Sequence, residues 1–319
     1  MISKYKNNIL RWRLSDGLLN SVAVTNRDSQ VKKLLNNTAE EVFLEYSYHS
    51  SSEMLSLYSQ VVNLLKSVDV ELKGIGLEAG SGVCGFSSNI CNLCDSVDKI
   101  YAVELVPTLS ILARDVTIPF ICNNNTNKIV NVVGSFDDIE LNDKSVDFII
   151  EVESYHHSDD ILKSLKEAYR VLKPNGIIVL LDRSHNDSLT EEQREHMLNV
   201  KYKKTWLKDR GYNTSNMSRR ENGEHEIKYS EWVNAFNCTG FKLIQRFELR
   251  DVSIKKIFKG FVYLLPFRFR KLFNIWPSRA RYHNNELQWM IEELIGKKKT
   301  NKLFKKSVRD YSLFVIQKI

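Results

Sequence analysis

Apolar and polar positions alternate in blocks over the middle of the chain, and these blocks predict strands and helices in turn. Continuous apolar runs, typical of strands covered on both faces, are followed by stretches with apolar positions at helical spacing. The predicted strands are 74–77, 99–104, 128–133, 146–152 and 177–181, and the predicted helices are 86–94, 107–116 and 159–172. This alternation predicts a parallel α/β sheet with helices on both faces.

The pattern changes on both sides of this block. Before it, two helix starts are predicted, because Glu41 follows Thr38 and Glu53 follows Ser50 at the separation of a capping box. A further helix start is predicted at Thr190, inside a polar and charged stretch. After the block come a polar insert, a helix, a strand, a second insert and a final strand, at 184–228, 229–236, 241–249, 251–309 and 311–316.

Three glycines in the order G-x-G-x-x-G follow the first predicted strand. Gly80, Gly82 and Gly85 stand between the apolar run 74–77 and a helix that begins near Phe86. A strand, a glycine turn and a helix together hold a nucleotide-like ligand at a helix N-terminus, and glycine permits the unusual dihedrals of the turn. By itself the pattern predicts a dinucleotide site, a site for another adenosine cofactor, or only a tight turn.

Two acidic residues narrow this choice. Glu104 lies 19 residues beyond Gly85, at the end of the second predicted strand, where a carboxylate can accept both hydroxyls of a ribose. That holds for NAD as well as for S-adenosylmethionine. Glu78, two residues before the first glycine, suits a cofactor with an ammonium group and a sulfonium, and it would repel a pyrophosphate. The two acids therefore favour a methyl donor over a dinucleotide.

Five stretches of the sequence resemble the motifs of one enzyme family. They are Glu78-Ala79-Gly80-Ser81-Gly82, Val103-Glu104, Gly134-Ser135-Phe136, 151–157 and 167–176. In this order they resemble a class I S-adenosylmethionine-dependent methyltransferase of the small-molecule, ubiquinone-biosynthesis-like branch, closely over 74–181 and more loosely over 229–249 and 311–319. The resemblance implies a Rossmann-like, seven-stranded and mostly parallel sheet with an antiparallel last strand, and S-adenosyl-L-methionine as the cofactor.

The resemblance also divides the chain. The expected segments are an N-terminal helical cap (1–70), a cofactor-binding core (71–183), an acceptor-side insert (184–228), a continuation of the core (229–250), a basic amphipathic insert (251–309) and the last core strand (310–319). Ligands of open parallel sheets bind beyond the carboxyl ends of the strands. Both inserts leave the sheet at that edge, so we expect helical inserts there that shape an acceptor pocket or a lid.

Twelve residues are implied as cofactor-binding by the resemblance. They are Glu78, Ala79, Gly80, Ser81, Gly82, Gly85, Glu104, Leu105, Ser135, Phe136, Glu151 and Glu153. Many relatives have an acidic residue at the position of Ser135, where it reaches the adenine amino group. The Ser135 hydroxyl can still accept a hydrogen bond, and Asp137 or Asp138 is the alternative acceptor.

Methyl transfer to a hydroxyl needs an aligned acceptor, exclusion of water and a group that removes the proton. The expected bases lie near the carboxyl edge of the sheet: His156, His157 and His185, with Glu153 and Asp182 as further candidates. For His156 and His157 the alternative is a structural turn under the cofactor. For His185 the alternative is an ordinary loop residue.

Length, cysteine content and apolar runs bound the class of protein. The 319 residues suffice for one sizeable core with additions, or for two small domains. No apolar run approaches the roughly 20 residues of a membrane span, and no secretory signal is predicted. Five cysteines, an odd number, favour a reducing cytoplasm over a disulfide scaffold. Cys91 and Cys94 form a C-x-x-C pair without further ligands, so we expect helix packing and no metal.

The net charge of +7 is unevenly distributed along the chain. From Lys242 to the end there are 19 lysines and arginines against 6 aspartates and glutamates. Within 254–276, lysines flank an apolar stripe that is rich in phenylalanine. Two interpretations stay open: the stripe packs on the domain or on a partner subunit, or it makes peripheral contact with an anionic membrane surface. No motif that reads RNA or DNA accompanies the charge, so no nucleic acid is expected.

The expected activity is O-methylation of a small-molecule or glycan acceptor with an anionic group, and analogy within the family suggests surface-polysaccharide biosynthesis. Arg268, Arg270, Arg279 and Arg281 are candidates for binding that anionic group. C-methylation of a membrane quinone or lipid is the alternative, and a cofactor-binding protein without catalysis is the alternative from another class. We expect a cytoplasmic protein, with the inner face of the membrane as a second location. The oligomeric state stays open.

Overall fold

The computed structural model describes residues 9–21, 24–25, 27–28, 31–32, 35–46, 52–122, 125–204, 207, 214–249 and 311–319. They form one sheet of eight strands with helices on both faces. The strands are β1 Leu10–Arg11, β2 Gly74–Ala79, β3 Val97–Glu104, β4 Ile129–Val133, β5 Val146–Val152, β6 Leu172–Arg183, β7 Phe241–Leu249 and β8 Tyr311–Lys318.

The sheet has the order β1-β4-β3-β2-β5-β6-β8-β7 and is parallel except for β8, which runs antiparallel to β6 and to β7. This confirms the predicted fold class and the antiparallel last strand. The chain proceeds outward in one direction from β2 and then in the other direction from β5. The carboxyl ends of β2 and β5 therefore border the crevice where ligands bind in open α/β sheets.

The strand count is a correction, because the sequence predicted seven strands in the sheet. The additional strand, β1, has only two residues, and Leu10 pairs with Val132 at the outer edge of β4. A two-residue strand carries no alternating pattern, so hydrophobic periodicity could not reveal it. Trp12 follows it, and its ring lies against Gly134, where an added Cβ would come within 2.6 Å of an indole carbon.

The described helices agree with most of the predicted ones. They are α1 Asp16–Leu19, α2 Ala39–Tyr46, α3 Ser52–Lys66, α4 Gly85–Leu93, α5 Pro107–Leu112, α6 Ile118–Ile121, α7 Ile161–Val171, α8 Glu191–Asn199 and α9 Tyr229–Thr239. The helix predicted over 107–116 continues further, because a π-helical turn, Ala113–Thr117, joins α5 to α6. The fifth predicted strand is also longer, since β6 begins at Leu172 and ends at Arg183.

Helix starts were well predicted where a capping box marks them. Before α2, the backbone N–H of Thr38 donates to the Glu41 carboxylate at 2.9 Å, and the Thr38 hydroxyl accepts the N–H of Glu41 at 3.3 Å. At α8, Thr190 and Gln193 form the same reciprocal pair. The capping box predicted at Ser50 lies outside the described residues.

Successive residues of the central strands point into two separate cores, which explains their continuous apolar runs. Ile149 packs in one core with helices α7 and α9, and Ile150 packs in the other with α3 and α4. A third, smaller cluster joins N-terminal residues such as Val24 and Val42 to Val83 of the glycine turn. These described N-terminal residues thus lie beside the glycine turn.

Two predictions fall on parts of the chain that are not described. Residues 251–309, with the basic segment 254–276 and the four arginines named above, lie outside the described residues. Within the described part, no helix combines the length and the apolar character that a bilayer crossing requires.

Candidate active site

The glycine turn after β2 has left-handed backbone at two positions. Gly80 has φ +70° and Gly82 has φ +54°, values that side chains other than glycine rarely adopt. A Cβ on Gly80 would come within 2.3 Å of the Cβ of Ser154, so packing also demands glycine there. A Cβ on Gly82 would meet no atom within 4 Å. Gly82 therefore presents bare backbone to open space, as a ligand cradle requires.

Glu78 occupies the N-terminus of the helix that follows this turn. Its buried carboxyl group accepts the backbone N–H of Ser87, the third residue of α4, at 3.2 Å, and it also accepts the Ser87 hydroxyl. Burial raises the pKa of Glu78 to about 8, which the nearby Glu104 reinforces and the Ser87 hydrogen bonds oppose. An acid at this helix N-terminus takes the position that a pyrophosphate needs in a dinucleotide fold.

Glu104, the last residue of β3, holds the glycine turn against the sheet. Its two carboxylate oxygens accept the backbone N–H groups of Gly82 and Val106, each at 2.8 Å. The N–H of Ser81 bonds the carbonyl of Val103 at 2.9 Å, which ties the turn to β3 a second time. Burial raises the pKa of Glu104, while these N–H groups and Arg27 oppose the rise. The carboxylate is thus fixed beside the bare backbone of Gly82.

The residues expected at the adenine, Ser135 and Phe136, follow β4 on the same edge. The Ser135 hydroxyl accepts the N–H of Asp137 at 3.1 Å, and the ring of Phe136 lies 5.2 Å from that of Tyr155. Asp137, the alternative acceptor for the adenine, also takes part in the local structure. Its carboxylate accepts the hydroxyls of Ser158 (3.2 Å) and Ser164, so it stabilises the turn before α7.

Glu151 and Glu153 lie on either side of Val152, the last residue of β5, but they differ in their surroundings. Glu151 has no exposed surface, and its Oε1 atom accepts the N–H groups of Ser154 at 2.5 Å and Tyr155 at 2.9 Å. Its expected direct contact with the cofactor does not fit this enclosure, because protein atoms surround the carboxyl group. Glu153 is exposed, with φ +53°, and its N–H bonds the carbonyl of Leu181 at 2.9 Å.

His156 and Asp182 form a buried pair across the ends of β5 and β6. The Nδ1 atom of His156 lies 2.6 Å from Oδ1 of Asp182, and the backbone N–H of His156 donates to Oδ2 at 2.9 Å. Burial alone would raise the pKa of Asp182, but His156 and the N–H of Arg183 lower it. A carboxylate on Nδ1 places the imidazole hydrogen there and leaves Nε2 as the basic atom. This is the arrangement of a general base with an orienting acid.

The neighbouring histidine, His157, is held differently. Its ring is exposed and lies 4.3 Å from that of His156, and its Nδ1 atom donates to the carbonyl of Gly223 at 3.0 Å. Desolvation and the neighbouring imidazole lower its pKa below the usual histidine value. The contact with Gly223 connects the turn after β5 to the end of the 184–228 insert.

His185, the third expected base, belongs to a cluster of charged residues. Its Nε2 atom bonds the carboxylate of Glu226, which has no exposed side-chain surface. Beside this pair, the Glu224 carboxylate accepts the Arg183 guanidinium at 2.7 Å and that of Arg219 at 2.5 Å. Burial by itself would raise the pKa of Glu224, but the two arginines and Tyr202 lower it to about 2. His185 is thus part of a charged network that also includes two arginines, whereas His156 is paired with Asp182.

The structure thus brings together residues that are distant in sequence. The glycine turn, Glu104 and the pair His156–Asp182 all lie at the carboxyl edge, around the crevice between β2 and β5. Two contributors are not among the predicted site residues: Ser154, which lies between the glycine turn and the histidines, and Ser87, which binds Glu78. In the described residues, no group of three His, Cys, Asp or Glu side chains could hold a metal ion.

Comparison with known proteins agrees with this geometry. A family model described as a methyltransferase domain matches residues 77–180, about a third of the chain. The matched residues include the end of β2, strands β3 to β5 and the turns around the crevice. Sterol 24-C-methyltransferase erg6 of Aspergillus fumigatus is 28% identical over 129 residues, which cover 40% of this chain and 30% of that protein. The chain therefore matches less than a third of the length of that curated relative.

The solved structures that resemble this chain are more distant in sequence. The YcgJ protein of Bacillus subtilis is 17% identical, with a TM-score of 0.48 and coverage of 82% of this chain and 97% of that one. A SAM dependent methyltransferase from Aquifex aeolicus is 16% identical, with a TM-score of 0.44 and coverage of 70% and 92%.

Proposed function

We propose that this protein is an S-adenosylmethionine-dependent methyltransferase. The observation that carries the proposal is the pair of buried acids at the glycine turn. Glu78 accepts an N–H group at the helix N-terminus, where a phosphate would otherwise bind, and Glu104 is fixed beside Gly82. A glycine turn that carries two acids and leaves no place for a phosphate suits an adenosine cofactor with a positive charge. The methyltransferase-domain match over 77–180 supports the same conclusion.

The residues of the turn fit that cofactor. The open space before Gly82 accepts a ligand against bare backbone, and Glu104 can receive ribose hydroxyls with the lone pairs that its two N–H bonds leave. The bound cofactor would supply a sulfonium methyl, which needs no activation by the protein. The chain therefore has to position the acceptor, exclude water and take up a proton.

We assign to His156 the role of the general base that removes the proton of the acceptor. Asp182 orients its ring through Nδ1, so Nε2 can take the proton of an acceptor hydroxyl while the carboxylate stabilises the imidazolium that forms. This pair is the reason for proposing O-methylation. His157 and the 223–226 segment of the insert border the same turn and would contact the acceptor.

For the acceptor we propose a small molecule or a glycan. The described acceptor side neutralises its own charges, since Arg183 and Arg219 are paired with Glu224. An anionic group on the acceptor would therefore draw on Arg268, Arg270, Arg279 or Arg281, which the sequence places in the second insert. Peripheral membrane contact through 254–276 is part of the same proposal for lipid-linked acceptors.

Calorimetry with S-adenosylmethionine and with NAD tests the cofactor. We expect saturable binding of the first and none of the second. The variant Glu104→Ala should weaken binding, and Glu140→Ala, a surface change, serves as its control. Absence of S-adenosylmethionine binding by the wild-type protein would refute the proposal.

The acceptor is best found by transfer of a labelled methyl group into a cell extract, followed by fractionation. Label in a water-soluble, base-stable product would support O-methylation of a small molecule or glycan. The relation to a sterol C-methyltransferase favours one second candidate, C-methylation of a lipid or quinone, and label in the organic phase would support it. No labelled product from a protein that binds the cofactor would favour a binding protein without catalysis.

A further inference from the structure

Ser154 lies between the glycine turn and the two histidines after β5. It packs against Gly80, and its carbonyl oxygen accepts the backbone N–H of His157 at 3.0 Å. Its hydroxyl donates to the carbonyl oxygen of Ala79 at 2.6 Å, and its Cβ fills the space in front of Gly80. Ala79 ends β2 and Gly80 begins the turn, so this contact sits directly under the proposed donor site. Two residues after Ser154 comes His156, bound to Asp182 by its side chain and its backbone. The path from Gly80 to the imidazole therefore consists of the contacts of Ser154 and a short stretch of backbone through Tyr155.

Glu151 holds Ser154 in this position from the interior of the protein. Its Oε1 atom accepts two consecutive backbone N–H groups, those of Ser154 and Tyr155, and lies 2.8 Å from the Ser154 hydroxyl. Its Oε2 atom has no hydrogen-bond partner within the described part of the chain. Because buried carboxyl groups are costly, three contacts on one oxygen and none on the other require an explanation.

A carboxyl group that keeps its proton lessens the cost of the unpartnered Oε2 atom, because it carries no charge, and it supplies a hydrogen for the Ser154 contact. Burial, and then the nearby Asp182, raise the pKa of Glu151 well above its usual value. The Ser154 hydroxyl has one hydrogen but two acceptor oxygens in reach, Ala79 O and Glu151 Oε1. A hydrogen supplied by the Glu151 carboxyl group allows both of these contacts to be hydrogen bonds.

We propose that Glu151 and Ser154 are positioning residues that join the donor turn to the His156–Asp182 pair, so that ligand binding at Gly80–Gly82 is transmitted to the imidazole. The inference rests on the proposed function, because it assumes that the donor lies on this turn. The physical reason is that Ser154 is buried and hydrogen-bonded to Ala79 and Glu151, and that only Tyr155, whose N–H also donates to Glu151, separates it from His156 along the chain. Glu151 thus acts on the reaction through Ser154, without touching a ligand.

The test follows the His156 imidazole by NMR in full-length protein labelled with ¹⁵N at histidine. The probe is S-adenosylhomocysteine, the cofactor without its methyl group, so no acceptor is needed. We expect the His156 signals to shift on saturation of the wild-type protein. In Ser154→Ala the shift should fall to less than about a third of the wild-type shift. The Kd for S-adenosylhomocysteine should change less than about fivefold, because we do not place the hydroxyl in contact with the ligand.

Ser158→Ala is the matched control. It removes a buried hydroxyl from the same turn, but that hydroxyl bonds Asp137 and Ser164 and has no link to Ala79. We expect this variant to keep the full shift of the His156 signals. A loss of the shift in both serine variants would mean that any disturbance of the turn has this effect, and it would overturn the specific role of Ser154.

Two substitutions of Glu151 distinguish the role of its acceptor oxygen from the role of its ionisable carboxyl group. Glu151→Gln keeps an acceptor oxygen for the two N–H groups and is neutral, so it should retain the shift, whereas Glu151→Ala should lose it. If the alanine variant does not fold, Ser154→Ala and Glu151→Gln still decide the matter. A full shift in Ser154→Ala, or a lost shift in a folded Glu151→Gln that still binds, overturns the inference. Absence of binding by the wild-type protein instead refutes the proposed function, and this inference with it.

Discussion

On the donor side of the site, Glu78 and Glu104 are buried against backbone N–H groups and a serine hydroxyl, whereas on the acceptor side Glu224 is buried between two arginines. The pKa of a glutamate is therefore shifted in opposite directions on the two sides. Burial raises the pKa of Glu78 to about 8, and the guanidinium groups lower that of Glu224 to about 2. The difference lies in the partner, since both side chains are enclosed.

This contrast shows which side of the site needs a charged ligand. An acid held by hydroxyl and N–H groups gains from a cation, because a cation stabilises the ionised form that burial penalises. A carboxylate already paired with arginines gains nothing from a further charge. The donor side thus suits a cationic cofactor, and the described acceptor side suits a neutral hydroxyl.

The largest expected effect is that of His156→Ala on the acceptor side. Loss of a general base should lower kcat by about 10²–10⁴-fold and leave the donor Kd within about threefold. Labelled methyl transfer and calorimetry measure the two quantities. The control is His196→Ala, which removes an exposed histidine of α8. A rate within threefold of wild type would mean that His156 belongs to a structural turn only.

The second prediction concerns the donor side without ligand. Because the pKa of Glu78 is raised from 4.5 to about 8, its stabilising contribution is complete below pH 4.5 and is lost as the pH rises to 8. Glu78→Gln removes this loss. At pH 8.5 the free energy of unfolding of the ligand-free variant should therefore be higher than that of wild type, by on the order of a few kcal/mol.

Urea unfolding at pH 5.5 and pH 8.5 measures this difference. The surface variant Glu71→Gln should follow wild type at both values, because its side chain is exposed. An unchanged pH dependence in Glu78→Gln would show that the Glu78 carboxyl group is ionised in the ligand-free protein. The contrast between the two sides would then disappear.

The third prediction is a loss of donor affinity in Glu104→Ala. A hydrogen bond to a charged group contributes about 1.5–3 kcal/mol, so the Kd should rise roughly 10–150-fold. The variant also releases the N–H groups of Gly82 and Val106, so Glu104→Gln, which keeps an acceptor oxygen, should lose less. Calorimetry with S-adenosylmethionine measures both, and equal affinity in all three proteins would place the ribose elsewhere.

The smallest effect is expected from Glu224→Gln. The pKa of Glu224 is lowered from 4.5 to about 2, so its contribution is present above pH 4.5 and is lost as the pH falls to 2. The variant should be less stable than wild type at pH 6 by about 1–2 kcal/mol, a figure reduced for solvent near the arginines, and equal to it near pH 2.

Thermal unfolding across pH 2–6 measures the effect of Glu224→Gln. Glu195→Gln is the matched control, because Glu195 pairs with Arg220 at the exposed surface and surface pairs contribute about 0–1 kcal/mol. If the two variants behave alike, the charged cluster of the acceptor side contributes no more than a surface pair.

The donor side was the more predictable half of the site. Glu78, Gly80, Gly82 and Glu104 were singled out because the residues of a strand–turn–helix unit are close in sequence, and glycine marks left-handed backbone. The capping boxes at Thr38 and Thr190 were predictable for the same reason. By contrast, the contacts of Asp137 with Ser158 and Ser164 could not be predicted, since nothing in its sequence neighbourhood indicates that these serines would bind it.

The sequence by itself therefore determined the class of sheet, the glycine turn and the set of histidines at its carboxyl edge. Only the tertiary structure decided that His156 meets Asp182, that His185 meets Glu226, and that Ser154 stands under Gly80. The physical reason is that local backbone geometry governs contacts within a few residues. Partners that lie 26 or 41 residues apart depend on strand register and on the fold of an insert, which no local pattern specifies.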